Sequence, residues 1–293
     1  NADGAALDGA ELTLHGMSAN ADGTPSGTVA DRTVVVENGT VALEGLIADQ
    51  QYTLTETKAP EGYRVNTGTL TFTVNTDGTL TEVEPAESYA IDADTATAIT
   101  VIDQPTELDL TKLAADGTPL AGAEFTLAPD TEHDADSRFV SGRSSIDLVV
   151  GEDGTVPTIT GELIAGHAYV LTETKAPDGY ALITEPLHFI VGPKGRAATL
   201  TAGTELPKGY TIGGNKEAGT IALTAVDNPI ELTLKKVNED GDVLVGAEFT
   251  LSGRFADGTT QQTLTTGADG TAALPLIIGG ERYVLEETKA PEG

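Results

Sequence analysis

Residues Tyr169–Tyr180 read YVLTETKAPDGY, and the phrase recurs as YTLTETKAPEGY at Tyr52–Tyr63 and as YVLEETKAPEG at Tyr283–Gly293. Repetition on this scale identifies the unit that folds, so it governs everything read afterwards. Working outward, a second phrase occurs as ELDLTKLAADGTPLAGAEFTL from Glu107 and as ELTLKKVNEDGDVLVGAEFTL from Glu231. A shorter form, ADGAALDGAELTL, opens the chain at Ala2. A third phrase pairs VIDQPTEL from Val101 with AVDNPIEL from Ala225. Lys112 and Lys236 stand as far apart as Asp103 and Asp227, so the phrases belong to one repeating unit whose loops vary in length.

Each copy reads as β-structure. Short runs rich in Val, Thr, Leu and Ile, such as TVVVENGTVAL, LTFTVNTDGTLTEV and IDLVVGEDGTVPTI, are folded back at Asn-Gly or Asp-Gly, the residues that accept positive φ in tight hairpins. No stretch carries a sustained helical period. Many short strands at this spacing predict a sandwich. The expected units are 1–104, lacking its first strand because Asp3-Gly4 matches Asp116-Gly117 just past that strand; 105–228, complete; and 229–293, ending at its ETKAPEG segment. The sequence thus reads as a window on a longer array, and no signal peptide opens it. Gln104-Pro105 and Asn228-Pro229 mark the junctions. With no Gly/Ser-rich linker there, an elongated, semi-rigid rod is expected.

The 293 residues are 39% hydrophobic but only 4% aromatic, with no Trp and no Cys. Cores must therefore rest on aliphatic side chains, and disulfides and thiolate sites are excluded. A formal charge of −30 repels phosphate backbones, which excludes nucleic acid as a partner. No apolar run is long enough to insert in a membrane. Asp130, Asp134 and Asp136 cluster in sequence, yet the spaced ligand loop of a calcium site is absent, so neither metal nor other cofactor is expected. His15, His133, His167 and His188 are scattered and fit no catalytic or ligand spacing.

Side chains alternate along a strand. Leu108 and Leu110 therefore share a face with Lys112, Tyr169 and Leu171 with Glu173, and Ile221, Leu223 and Ala225 with Asp227. The other copies repeat the pattern: Leu232 and Leu234 with Lys236, Tyr52 and Leu54 with Glu56, Ile99 and Val101 with Asp103. Glu287 holds the Glu position in the last copy. A single charge ending an apolar face is ordinarily a side chain reaching solvent along its stem. Three complementary ones, repeated, predict a buried set. Desolvation favours a neutral amine and a protonated carboxyl, the reactants of amide formation, with a neighbouring Glu to move the proton. The expected chemistry is an amide between Lys112 and Asp227 assisted by Glu173. Asn228 and Gln104 alternate away from the core, and Lys58, Lys175 and Lys289 are expected to be exposed.

These phrases resemble those of the Cna B-type or SpaA-like (prealbumin-like) domains of Gram-positive surface adhesins and pilins. YVLTETKAPDGY is similar to that family's Glu-bearing box, ELDLTKLAADGTPLAGAEFTL to its Lys-bearing opening, and VDNP to its closing strand. The resemblance covers essentially the whole chain. It implies an all-β array of tandem Ig-like sandwiches carrying a self-formed Lys–Asn or Lys–Asp isopeptide bond, at Lys112, Glu173 and Asp227 here. Many members use Asn as acceptor, whereas this chain has Asp at 103 and 227. The first copy keeps Glu56 and Asp103 without the Lys, and the last keeps Lys236 and Glu287 without the acceptor.

The expected role is a load-bearing stalk on the cell surface or cell wall, not an enzyme beyond one self-cross-linking turnover, with neighbouring repeats as its partners. The alternatives are a module binding host matrix or other surface proteins, through 128–145 or 195–218, and a polymerising pilin shaft.

Overall fold

The computed structural model describes residues 1, 3–84, 86–200, 205–213 and 219–291; parts of the 195–218 segment therefore lie outside the described residues. All regular elements in it are strands, and no helix is long and apolar enough to cross a membrane. The middle copy shows the complete arrangement. Its first sheet runs Ile159–Thr160, Glu107–Ala114, Thr220–Asp227, Tyr210–Gly213 in spatial order. Its second runs Ile146–Val149, Glu124–Pro129, Ala168–Lys175, Leu187–Val191, Ala197–Thr199. Leu108, Leu110, Ile221 and Leu223 of the first sheet pack against Phe125, Leu127, Tyr169, Leu171 and Phe189 of the second. Both Glu107–Ala114 and Thr220–Asp227 alternate strictly between half-buried and buried residues, as a strand with one face in a core must.

These two strands, the first and last of the copy, lie side by side and parallel, with Lys112 opposite Ala225 and Ala114 opposite Asp227. Parallel neighbours need a long crossover, and here the crossover is the rest of the domain.

The opening tyrosine of each repeated phrase packs against a Phe ring, in a chain that has no Trp. Tyr169 packs between Phe139 and Phe189, with ring centroids 5.4 and 6.0 Å away. Its hydroxyl donates to the Arg138 carbonyl and accepts from the Ile164 N–H. Tyr52 does the same with Met17 and Ile47, and Tyr283 with Arg254 and Ile278. A buried phenol is tolerated because its polar end is satisfied. Phe139 comes from the 128–145 segment, so that long loop contributes to the core as well as to the surface.

The final Gly-Tyr of the phrase has a separate task. The Thr106 N–H donates to the Gly62 carbonyl at 2.8 Å, and the Ile230 N–H donates to Gly179 at 2.9 Å. Tyr63 pairs with Pro105 and Tyr180 with Pro229. The first and second copies thus each hook the first residues of the copy that follows. At the first junction, Arg138 adds a two-pronged contact to Glu61 at 2.9 and 2.6 Å.

The end copies repeat parts of this arrangement among the described residues. The first has a five-stranded sheet ordered Pro25–Val35, Glu11–Ala19, Gln50–Lys58, Thr69–Val74, Leu80–Glu84, faced by the pair Tyr89–Ile91 and Ile99–Val101. The third has Gln261–Thr265, Glu248–Ser252, Val284–Lys289, with Thr233–Lys235 paired to Thr271–Ala273.

Candidate functional site

The TETK portion of the repeated phrase contains a β-bulge. Glu124 pairs with Lys175 and Phe125 with Glu173, leaving Thr174 as the extra residue. The same shift occurs at Thr57 and Thr288. In all three copies the Thr hydroxyl donates to the carbonyl of the facing Glu, 11, 124 or 248. Simple alternation would put Lys175 on the face of Glu173. The bulge separates them, so Glu173 turns into the core while Lys175 lies exposed against Glu124 at 3.0 Å. Lys58 and Lys289 make the equivalent pairs with Glu11 and Glu248.

Lys112 is aimed by its own strand and by a turn. Its N–H donates to the Gly154 carbonyl at 2.7 Å. Gly154 has φ +76°, and a Cβ there would stand 2.8 Å from the Lys112 carbonyl oxygen. The close approach and the left-handed backbone both require glycine. Gly270 repeats the arrangement at Lys236.

The result is a triad at one end of the middle core. The Lys112 Nζ lies 2.8 Å from Glu173 Oε1 and in direct contact with Asp227 Oδ1, and all three side chains are wholly buried. Lys112 and Asp227 come from neighbouring strands of one sheet, and Glu173 reaches across from the other. The Phe125 ring sits 5.5 Å below the ammonium position. Glu173 Oε2 accepts the Ile183 N–H at 2.7 Å, which fixes the carboxyl. By contrast, Glu173 Oε1, Lys112 Nζ and both Asp227 oxygens have no partner with hydrogen-bonding angles, despite their proximity. Burial pushes Glu173 and Asp227 above the usual carboxylate range, against the pull of the nearby amine. One amine and two carboxyls in a dry pocket are expensive as ions; as neutral amine and carboxylic acid they are one water away from an amide. Asn228 and Gln104 are exposed, whereas Asp227 and Asp103 are buried.

In the first copy Glu56 and Asp103 are likewise buried. Glu56 Oε2 accepts the Asn66 N–H at 2.6 Å, the counterpart of the Ile183 contact. Desolvation lifts the Glu56 carboxyl to about 7 and raises Asp103 as well. Beside Ile99–Val101, where the middle copy has its Lys strand, there is a cleft of about 930 Å³ lined by Leu12, Leu43, Leu54, Val101, Glu56 and Asp103. In the third copy Lys236 Nζ meets Glu287 Oε2 at 2.9 Å, but the side chains are 28% and 33% exposed.

The histidines correct the sequence reading. His133 and His188 are not scattered: both Nδ1 atoms contact Asp130 Oδ2, at 2.8 and 2.7 Å. His167 pairs separately with Asp134 at 2.7 Å, and His15 with Asp31 at 2.6 Å. Burial acts to raise the Asp130 carboxyl, but the two imidazole contacts outweigh it and hold it below the usual range. Asp136 enters through its backbone, its N–H donating to Asp134 Oδ1. The Asp130/His133 spacing was visible in the sequence; His188 arrives from the outer face of a distant strand.

No curated protein matches the chain significantly. Among solved structures, it is similar to the C-terminal fragment of the pilus adhesin SpaC from Lactobacillus rhamnosus GG, at 22% identity and a TM-score of 0.37, covering 78% of this chain and 94% of that one. The Bacillus anthracis TIE protein gives 21% identity and a TM-score of 0.38, over 96% of this chain and 42% of its own. A streptococcal ancillary pilin gives 17% and 0.34, over 98% and 86%. Likeness at this level carries no argument by itself. The family assignment rests on the sequence profile of the SpaA prealbumin-like fold domain, which matches residues 1–101, 106–212 and 230–293. With a match to each copy, the chain belongs to the SpaA prealbumin-like fold domain family.

Proposed function

We propose that this chain is a structural segment of a cell-wall-anchored Gram-positive surface adhesin or pilin, an extended array whose middle unit, residues 105–228, closes a covalent bond between Lys112 and Asp227. Membership of the family supports the surface role, and the buried contact of Lys112 with Asp227 and Glu173 carries the chemical reading. The Lys112 amine, its ammonium proton passed to Asp227, attacks Asp227 Cγ. A C–N bond forms, Glu173 takes a proton from Nζ and returns it to the departing oxygen, and the C–O bond breaks with release of water. No external reagent is needed, and the turnover is single.

Mechanics follow from the parallel pair. Force entering at Glu107 and leaving after Asp227 loads the two strands in shear at opposite ends. An amide from Lys112 to Asp227 carries that force directly and shields residues 113–226. It also restricts the unfolded chain; by analogy with a disulfide closing a loop of this size, the gain is about 4–5 kcal/mol. A chain without Cys thereby gains a cross-link.

Intact mass spectrometry of the purified chain tests the reading. The expected mass is one water below the sum of the residues, with fragments linking Lys112 to Asp227. A full residue-sum mass refutes the bond, and loss of ammonia instead moves the acceptor to an amide side chain.

A further inference from the structure

We propose that Asp130, His133 and His188 form a site for one divalent transition-metal ion of the nitrogen-preferring class, with Zn²⁺ as its representative. The side chain of Asp130 is only 3% exposed, and its Oδ2 faces the Nδ1 atoms of both imidazoles. Candidate ligand atoms from the three residues lie within 4.8 Å of one another. The two rings meet edge to face with centroids 4.9 Å apart, so their nitrogens converge from different directions.

The carboxylate is already set. Its Oδ1 is directed at the His133 N–H, and the Asp130 carbonyl accepts the Asp134 N–H at 2.9 Å. These contacts fix the turn and leave Oδ2 to the imidazoles. A tetrahedral zinc ion holds nitrogen and oxygen ligands about 3.3 Å from each other. Opening the present 2.7–2.8 Å contacts takes about half an ångström, within reach of imidazoles that are 44% and 30% exposed. In the neutral rings the proton moves from Nδ1 to Nε2 as the ion enters.

Two imidazoles and one carboxylate select against Ca²⁺ and Mg²⁺, which take oxygen sets. Three protein ligands leave a position open. His133 and His188 also border a cavity of about 310 Å³, so a water has room to complete the shell. The first copy does not repeat the site. Where His188 stands between Leu187 and Phe189, the first copy has Thr71 between Leu70 and Phe72. An ion here would clamp the 128–145 segment to the outer face of Leu187–Val191, remote in role from the triad inside.

The test is calorimetric titration of the full chain with Zn²⁺ alone and, separately, Ca²⁺, for the unaltered protein, His133→Ala and His188→Ala, each checked for native circular dichroism. One saturable equivalent of Zn²⁺ is expected, weakened about tenfold or more in either variant, with no corresponding Ca²⁺ event. Ions gathered by the −30 surface bind equally to all three proteins. Absence of a saturable event, or an event unchanged by both substitutions, overturns the proposal and leaves a hydrogen-bonded clip. Should His188→Ala unfold, His133→Ala decides, because its ring is the more exposed.

Discussion

Lys112 and Lys236 occupy the same place in two copies of one strand phrase, and each meets the Glu of its own ETK bulge at 2.8 or 2.9 Å. Their surroundings differ completely. The Lys112 and Glu173 side chains are wholly buried, whereas those of Lys236 and Glu287 are 28% and 33% exposed. The difference is Thr220–Asp227, which lies against the Lys strand in the middle copy and brings Asp227 with it. No described strand does this in the third copy, where Val284 and Leu285 are also left exposed. The first copy is the complementary case: Glu56 and Asp103 are buried, and among the described residues neither is paired with a Lys. The repeated phrase aims the side chains. The closing strand removes the water that would keep them as ordinary ions.

The strongest way to break this comparison is to remove the amine. Lys112→Ala is expected to restore the full residue-sum mass and to destabilise the middle unit by on the order of 5 kcal/mol, combining the lost loop constraint with an unmatched buried carboxyl pair. Thermal unfolding read alongside intact mass checks it. A variant that keeps its melting temperature would remove any mechanical role for the residue.

Glu173→Gln tests the chemistry with less structural damage. Lys112 and Asp227 remain, but no group can move the proton. The water should be retained, and stability should fall by the cross-link contribution alone, about 4 kcal/mol. Bond formation at an undiminished rate would assign Glu173 a purely structural part.

The comparison can be sharpened by making the first copy resemble the middle one. A peptide of sequence ELDLTKLA, copied from Glu107–Ala114, should enter the cleft beside Ile99–Val101 and join Asp103. The expected product is an adduct one water lighter than its parts, absent for Asp103→Ala. Binding without a covalent product would separate strand fit from reactivity.

Acidity provides a smaller effect. Glu56 keeps its proton in the fold up to about pH 7, whereas the unfolded carboxyl releases it near 4.5. The folded state therefore binds more protons in that window, and its stability falls as pH rises through it. Denaturant midpoints of the first copy should decline from pH 4.5 to 7, with the decline reduced in Glu56→Gln. The smallest expected change is at the exposed Lys175–Glu124 pair, where Lys175→Ala should cost about 0.5 kcal/mol or less by the same titration.

Much of the molecule could be read from the sequence. The repeats, the β class and the three inward residues follow from period-two alternation, because a strand with one face in a core must alternate. The same rule selects Asp227 over Asn228, since a shift of one residue turns a side chain to the opposite face. The choice was legible because it depended only on the local backbone.

What sequence could not supply depends on partners far along the chain. Alternation gave Lys112 and Asp227 a common face, but only the fold made their strands parallel neighbours in register. The bulge that parts Glu173 from Lys175 is a cross-strand arrangement, invisible in one strand alone. The tyrosine contacts and the Gly-Tyr hooks between copies are likewise bonds to distant backbone. His188 joins Asp130 only because a loop folds onto the outer face of a sheet. Sequence determined which side chains point inward, since that is a property of each strand's own geometry. Tertiary structure decided which of them meet and how dry the meeting place is, since burial belongs to the whole packed unit.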